Sequence, residues 1–351
     1  MSEDVWSEQD TDPDAIEAAL RWLLRTRHAE NEALIPARVL NLVVIVDRDW
    51  KGEVANRLER VGRYQASRTI LCTVEPGRTT LDAVATVSYE EPGAGKIGVV
   101  REQIELDLGP EHLEALDTVV DPILISEMPT IVWSPHGYAE AVQRLLPVTD
   151  VILLDSDDLP DPAQAFERAS SLCDRVYVVD LAWLRTTPWR ERLAASFDLR
   201  ERAPALRVVS ELEIRHQETS TASGLLLAGW LASRLHWQRA PLSGTPGESL
   251  SGSVDRPDGE VELRLRNRAQ TSPGLGGVTV ACEPGLRLSL DRGRGGLDAD
   301  ETNPDGEERR WKILGASRGE GGILGEGVRQ ALLRDPTYPA ALRAARELCP
   351  A

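Results

Sequence analysis

The chain reads as α/β, an open mixed sheet with helices on both faces, and three observations point there. Continuous apolar, β-branched runs such as residues 39–46 and 151–155 are typical of strands buried on both faces. Between such runs stand stretches whose apolar residues recur at helical spacing, and this alternation is that of an α/β sheet rather than a sandwich or a bundle. Residues 81–89 and 99–108 instead alternate apolar with polar side chains, so those strands have one wet face and the sheet is mixed. With 351 residues the chain has room for two α/β regions.

Residues 1–14 are acidic and lack apolar periodicity, which predicts a disordered tail. From 15 to 27, Ile16, Ala19, Leu20, Leu23 and Leu24 mark an amphipathic helix that Asp12 or Asp14 is placed to cap. A buried strand at 39–46 feeds a helix through Val54, Leu58 and Val61, and strands follow at 69–74, 81–89 and 99–108. The alternation continues with helix 110–120, strand 130–133, helix 138–146, strand 151–155, helix 163–173 and strand 175–180. Helix 189–197, strand 206–214 and helix 222–235 complete it. Composition then shifts to Pro, Gly and Ser at 239–259, which predicts a loop, and short strands are expected at 260–266, 277–282, 286–290 and 311–314 around an acidic loop at 298–308. Helices at 323–333 and 339–348 end the chain. The division expected is an N-terminal α/β domain at 15–170 and a C-terminal α/β domain at 171–351, the latter closing in short strands and C-terminal helices.

Forty Lys and Arg against 57 Asp and Glu give a net charge of −17, which repels polyanions. Neither nucleic acid nor a membrane is therefore an expected partner. No apolar run approaches the roughly 18 residues of a membrane span, and the acidic N-terminus lacks the positive and apolar segments of a secretory signal, which predicts a cytoplasmic address. The four cysteines are tens of residues apart and read as reduced thiols, Cys349 being the one left open to solvent by its place near the C-terminus. No pair of the five histidines has metal-ligand spacing, so neither metal nor cofactor is expected.

Three segments invite a chemical reading. In VILLDSDDLPDP, Asp155, Asp157 and Asp158 stand where a strand meets its loop, the ligand-binding edge of open α/β sheets, and carboxylates there suit Mg²⁺ or phosphoryl attack. The spacing partly resembles the haloacid dehalogenase phosphatases, although Leu159 stands where that motif has Thr or Val; the alternative is a solvated loop that caps the next helix. His136 ends a strand at WSPHG without an assignable partner and reads as loop packing. The glycines of RGEGGILGEGV, Gly319 to Gly327, fit no phosphate-binding spacing, and Glu320 and Glu326 oppose an anion, so a flexible turn is expected.

The most distinctive segment is DLAWLRTTPWRERLAASFD, residues 180–198. Thr187 is placed to cap a helix, Pro188 suits its first turn and Glu191 its positive end. Trp183, Arg185, Trp189 and Arg190 gather there, and Trp and Arg are enriched at interface hot spots.

Together with ARVLNLVVIVD (37–47), SRTILCTV (67–74), EMPTIVWSPHG (127–137) and LLLAGWLASRLHW (225–237), that segment resembles the OpcA family of glucose-6-phosphate dehydrogenase assembly proteins, in an arginine-rich, actinobacterial form. The resemblance spans residues 37–237. It implies a non-catalytic protein whose partner is glucose-6-phosphate dehydrogenase, which it assembles or activates allosterically in support of NADPH production by the oxidative pentose phosphate pathway. Arg68, Trp133, Trp183, Arg185, Trp189 and Arg190 are then the expected contact surface. The alternative is a Mg²⁺-dependent phosphatase-like enzyme using Asp155 and Asp157.

Overall fold

A computed structural model describes residues 2–30, 34–35, 38–62, 67–89, 98–198, 200–315 and 320–350. Its fold is mixed α/β, built as two compact units: residues 1–154 with 176–179, and residues 155–175 with 180–351.

The first unit contains β1 (Ser2–Glu8), α1 (Pro13–Glu30), β2 (Leu34–Ile35), β3 (Leu40–Asp47), α2 (Lys51–Gly62), β4 (Ser67–Val74), β5 (Asp82–Tyr89) and β6 (Gly98–Leu108). It continues with α3 (Leu116–Val120), β7 (Thr130–Trp133), α4 (Ala139–Leu145) and β8 (Val151–Leu154). After α5 (Pro162–Cys173), which belongs to the second unit, β9 (Tyr177–Asp180) completes the sheet. The strand order is β1-β5-β6-β4-β3-β7-β8-β9, with β2 beside β6. The pairs β6/β4, β4/β3, β3/β7 and β7/β8 are parallel, whereas β1/β5 and β5/β6 are antiparallel. Every residue from Leu40 to Val46 is buried, so both faces of that strand are covered; the one polar residue of the run, Asn41, donates to the Ile125 carbonyl and accepts from Ile125 N.

The expected disordered tail is corrected here. Residues 2–8 form β1, paired antiparallel along β5. Periodicity fails to reveal such a strand because main-chain hydrogen bonds to a sheet edge need no apolar face. Side chains add to the pairing: Asp4 accepts from Arg27 on α1, and the Asp10 backbone N–H donates to Asp82 Oδ1 at 3.0 Å. Of the two capping candidates the chain uses Asp12, whose Oδ1 accepts from Ala15 N at 2.9 Å.

The second unit holds α5, then α6 (Leu181–Arg185), α7 (Thr187–Phe197), β10 (Val209–His216) and α8 (Thr221–Arg234). Seven more strands follow: β11 (Ser243–Thr245), β12 (Ser249–Arg256), β13 (Gly259–Asn267), β14 (Leu275–Cys282), β15 (Leu286–Gly293), β16 (Gly296–Thr302) and β17 (Glu308–Leu314). The last helices are α9 (Glu320–Gln330) and α10 (Tyr338–Leu348). The sheet order is β11-β12-β13-β10-β14-β15-β16-β17, antiparallel except where β10 meets β13. One face is apolar and buried through Leu212, Ile214, Leu263, Leu265, Val278 and Leu288. The other carries ion pairs such as Arg215 with Glu213 and Asp291. Helix α8, buried from Thr221 to Gly229, packs most extensively against α10.

Three further expectations are corrected in this unit. The Pro/Gly/Ser stretch 239–259 contains β11 and β12, and β12 sets Leu250 and Val254 inward between polar residues. The acidic loop 298–308 is shorter than expected, 303–307, because 298–302 belong to β16: Leu297 and Ala299 face the core, while Asp298 and Asp300 face outward to Lys312 and Arg310 at 3.4 and 2.7 Å. The glycine-rich turn lies mostly in α9, where burial of Ile323, Leu324 and Val328 offsets the roughly 1 kcal/mol that each helical glycine costs. Gly319 lies outside the described residues.

Candidate functional site

The buried polar groups of the second unit converge where strands end and helices begin. Asp155 follows β8 and opens a single 3₁₀ turn, Ser156–Asp158; Asp180 is the last residue of β9 and the N-cap of α6, accepting from Ala182 N at 2.9 Å. A carboxylate is favoured at both places because it satisfies backbone N–H groups that lack a partner within the turn. Asp180 also accepts from Ser156 N at 3.1 Å, Ser156 Oγ at 2.6 Å and Tyr338 Oη at 2.9 Å, which ties the turn to the start of α10. Arg185, at the end of α6, donates through Nη1 and Nη2 to the two oxygens of Asp155 at 2.7 and 2.6 Å. Its guanidinium lies 3.6 Å from Asp157, whose carboxylate accepts from Ser223 N at 3.0 Å and Ser223 Oγ at 2.5 Å on α8.

Two carboxylates, Asp155 and Asp157, thus share one guanidinium away from water, with the buried Asp180 carboxylate beside them. Burial, and then the charge of Asp155, raises Asp157 to about 7 and Asp180 to about 6. Every oxygen of the three accepts at least one hydrogen bond within the unit. Beside the cluster, Arg190 lies 3.5 Å from the centre of the Trp183 ring while donating to Thr186 Oγ1 and Thr187 Oγ1 at 2.9 Å each. Trp183 Nε1 donates to Asp335 at 2.8 Å. Burial lowers Arg190 to about 10. Helix α7 is preceded by Thr186, which occupies the N-cap position without a side-chain capping bond, so the expected cap Thr187 lies inside the first turn, where its hydroxyl serves Arg190.

Of the six residues expected to form a contact surface, five are buried and Arg190 is half-buried. Trp183, Arg185, Trp189 and Arg190 do come together around α6 and α7, yet Trp183 and Trp189 are 2% and 1% exposed and Arg185 is 8% exposed. Arg68 and Trp133 belong to the first unit. Arg68, 3% exposed on β4, binds Glu102, Glu17 and the Ile123 carbonyl, and Trp133 fills the core at the end of β7. Their side chains serve the cores, because tryptophan bodies and paired guanidinium groups are stable there and the sequence pattern does not distinguish that use from an exposed one. Asp180, Ser223 and Tyr338 were not singled out by the sequence. Their one signal was Asp180 as a cap; Ser223 and Tyr338 lie tens of residues away from the turn they hold.

Elsewhere, His136 is exposed and rests on Trp50 with ring centres 4.9 Å apart, and burial of its ring lowers its pKa. Cys349 is buried rather than open to solvent, and burial pushes it and Cys72 up to about 12. Cys173 and Cys282 are raised to about 11 by the same cause, and all four thiols are free. Among the described residues no group of three His, Cys, Asp or Glu side chains is placed to hold a metal ion, and no helix is long and apolar enough to cross a membrane.

The chain matches, in order, both domains of the glucose-6-phosphate dehydrogenase subunit family known as OpcA: the N-terminal domain over residues 58–171 and the C-terminal domain over residues 176–342. An OxPP cycle protein OpcA of Synechococcus elongatus is 31% identical over 250 residues, 70% of this chain and 54% of that protein. Its counterpart in Synechocystis is 32% identical over 150 residues, 42% of this chain and 32% of the relative. The matched region is thus about half or less of the length of these relatives. Among solved structures, a dehydrogenase (MviM) from Clostridium difficile superposes with a TM-score of 0.46 at 9% identity, over 88% of this chain and 96% of that one. That score lies too low to bear on fold or function. With both domains matched in order, the chain belongs to the OpcA family, the family of the glucose-6-phosphate dehydrogenase subunit.

Proposed function

We propose that this chain is a non-catalytic accessory protein that binds glucose-6-phosphate dehydrogenase and promotes its assembly or its allosteric activation. In this role it supports NADPH production by the oxidative pentose phosphate pathway, in the cytoplasm. The observation that carries the reading is that one chain presents both domains of the family in order. The geometry of the buried cluster agrees with it. A phosphatase working through Asp155 needs a carboxylate free to attack, whereas both Asp155 oxygens take N–H groups of Arg185. In the accessory reading Trp183, Arg185, Trp189 and Arg190 fix α6 and α7 from beneath, and the surface of those helices meets the partner.

Such a protein acts by population shift, binding better to the active form or oligomer of the dehydrogenase and raising its occupancy. A coupling of roughly 1–3 kcal/mol changes apparent substrate affinity about 5- to 150-fold. The test is the rate of the same organism's dehydrogenase with and without this chain, varying glucose-6-phosphate at fixed NADP while following oligomer size. A fall in KM or a rise in kcat supports the reading, and the size separates conformational activation from assembly. If rate and size both stay unchanged, the reading fails.

A further inference from the structure

An apolar pocket of about 400 Å³ opens in the second unit between α7, the 3₁₀ turn at Ala203–Val208, β10 and α8. Leu212 and Val209 form its floor, 0% and 1% exposed, and Phe197, Leu193, Leu231 and Trp237 its walls. Two stretches noted in the sequence, 180–198 and 225–237, both contribute to its lining. Its lining includes exposed Ala194 and two exposed charges, Asp198 and Arg234, which border its mouth. Neither charge forms an ion pair with a described residue.

We propose that this pocket is the seat for an apolar side chain of the dehydrogenase, flanked on the dehydrogenase by one basic and one acidic residue. The proposal rests on the accessory reading above. An apolar centre ringed by unpaired polar groups has the anatomy of an interface hot spot, where an anchor fills a desolvated pocket and the rim supplies orientation. The rim charges select the occupant. A fatty acid or a polyanion satisfies Arg234 but sets a negative charge against Asp198, whereas a folded protein surface presents both signs beside one anchor.

Ala194→Trp closes the mouth from an exposed helical position, and Arg234→Glu reverses one rim charge, so neither touches the core. Binding of the same organism's dehydrogenase to wild type and both variants is followed by interferometry, with melting temperatures in parallel. We expect unchanged melting, at least a roughly tenfold weaker complex for Ala194→Trp and a several-fold weaker one for Arg234→Glu. Wild-type affinity in both variants overturns the pocket while leaving the accessory reading intact; no binding by wild type overturns both. Oligomeric state is followed by light scattering in parallel. A self-dimer of the wild type that is lost in Ala194→Trp assigns the pocket to a second copy of this chain and overturns the proposal.

Discussion

Arg185 binds both oxygens of Asp155 and lies 3.6 Å from Asp157, and its removal shows what that arrangement holds. Truncating one partner of a buried ion pair typically costs about 3–5 kcal/mol, because the charge left behind is neither solvated nor matched. Arg185→Ala is therefore expected to lose about that much in urea unfolding at pH 8. The loss shrinks toward pH 5.5, since the orphaned carboxylates then take up protons instead of remaining charged. A variant as stable as wild type at pH 8 refutes the view that this pair locks the 155–158 turn to α6. The sequence singled out both Arg185 and Asp155 but gave them separate work, one as a partner contact and the other as a nucleophile or metal ligand. Thirty residues separate them, and only the return of the chain from β9 into α6 brings guanidinium and carboxylate to 2.7 Å.

Among the elements, α8 and α10 show how close packing reverses a helix-propensity rule. Glycine in a helix interior is usually improved by alanine, by up to about 1 kcal/mol. A Cβ on Gly229 of α8, however, stands 2.5 Å from the Ala341 carbonyl oxygen and 2.7 Å from Ala345 N, both backbone atoms of α10. Gly229→Ala is expected to cost roughly 1–3 kcal/mol, the penalty of overpacking. Gly325→Ala on α9, whose Cβ meets nothing within 4 Å, is expected to gain up to about 1 kcal/mol. Thermal melts of the two variants moving in the same direction overturn the argument. Elements with strong periodicity were legible from the sequence: α1, β3, β5, β6, α8 and α10 all lie within a few residues of expectation. Those that failed, β1, β12 and β16, are strands in which polar and charged residues outnumber apolar ones, so composition points to tail or loop while main-chain pairing to a neighbouring strand makes the element.

For the whole molecule, the boundary expected at 170/171 falls beside that of the two matched family domains, 58–171 and 176–342, whereas the compact units divide differently because the chain visits the first unit twice. It leaves at Leu154, builds α5 in the second unit and returns for residues 176–179, an order that no composition shift marks. Opposing titrations set the stability of the assembled chain. Asp157 and Asp180 have folded pKa values, about 7 and about 6, above the ~3.9 of an unfolded aspartate. The folded state therefore binds more protons across that window, and stability falls as pH rises through it. Self-repulsion acts in the same sense, since the net charge of −17 at pH 7 relaxes toward the pI of about 4.9. Two terms oppose them. His216, buried with Nδ1 against the Gln217 carbonyl, has a pKa lowered by burial, so stability is lost as pH drops below the ~6.5 at which the unfolded imidazole charges. Asp335 stays below its ordinary value because hydrogen bonds from Thr337 and Trp183 outweigh its burial, so its contribution disappears as pH falls below about 4. Melting temperature measured from pH 4 to 9 is expected to peak on the acid side of neutrality and to fall toward both ends. Asp157→Asn keeps the contact with Ser223 while removing one titration, and should flatten the slope between pH 6 and 8 by up to about 1.4 kcal/mol per pH unit. An optimum above pH 7.5, or an unchanged slope in that variant, removes the buried carboxylates as the source of the pH dependence.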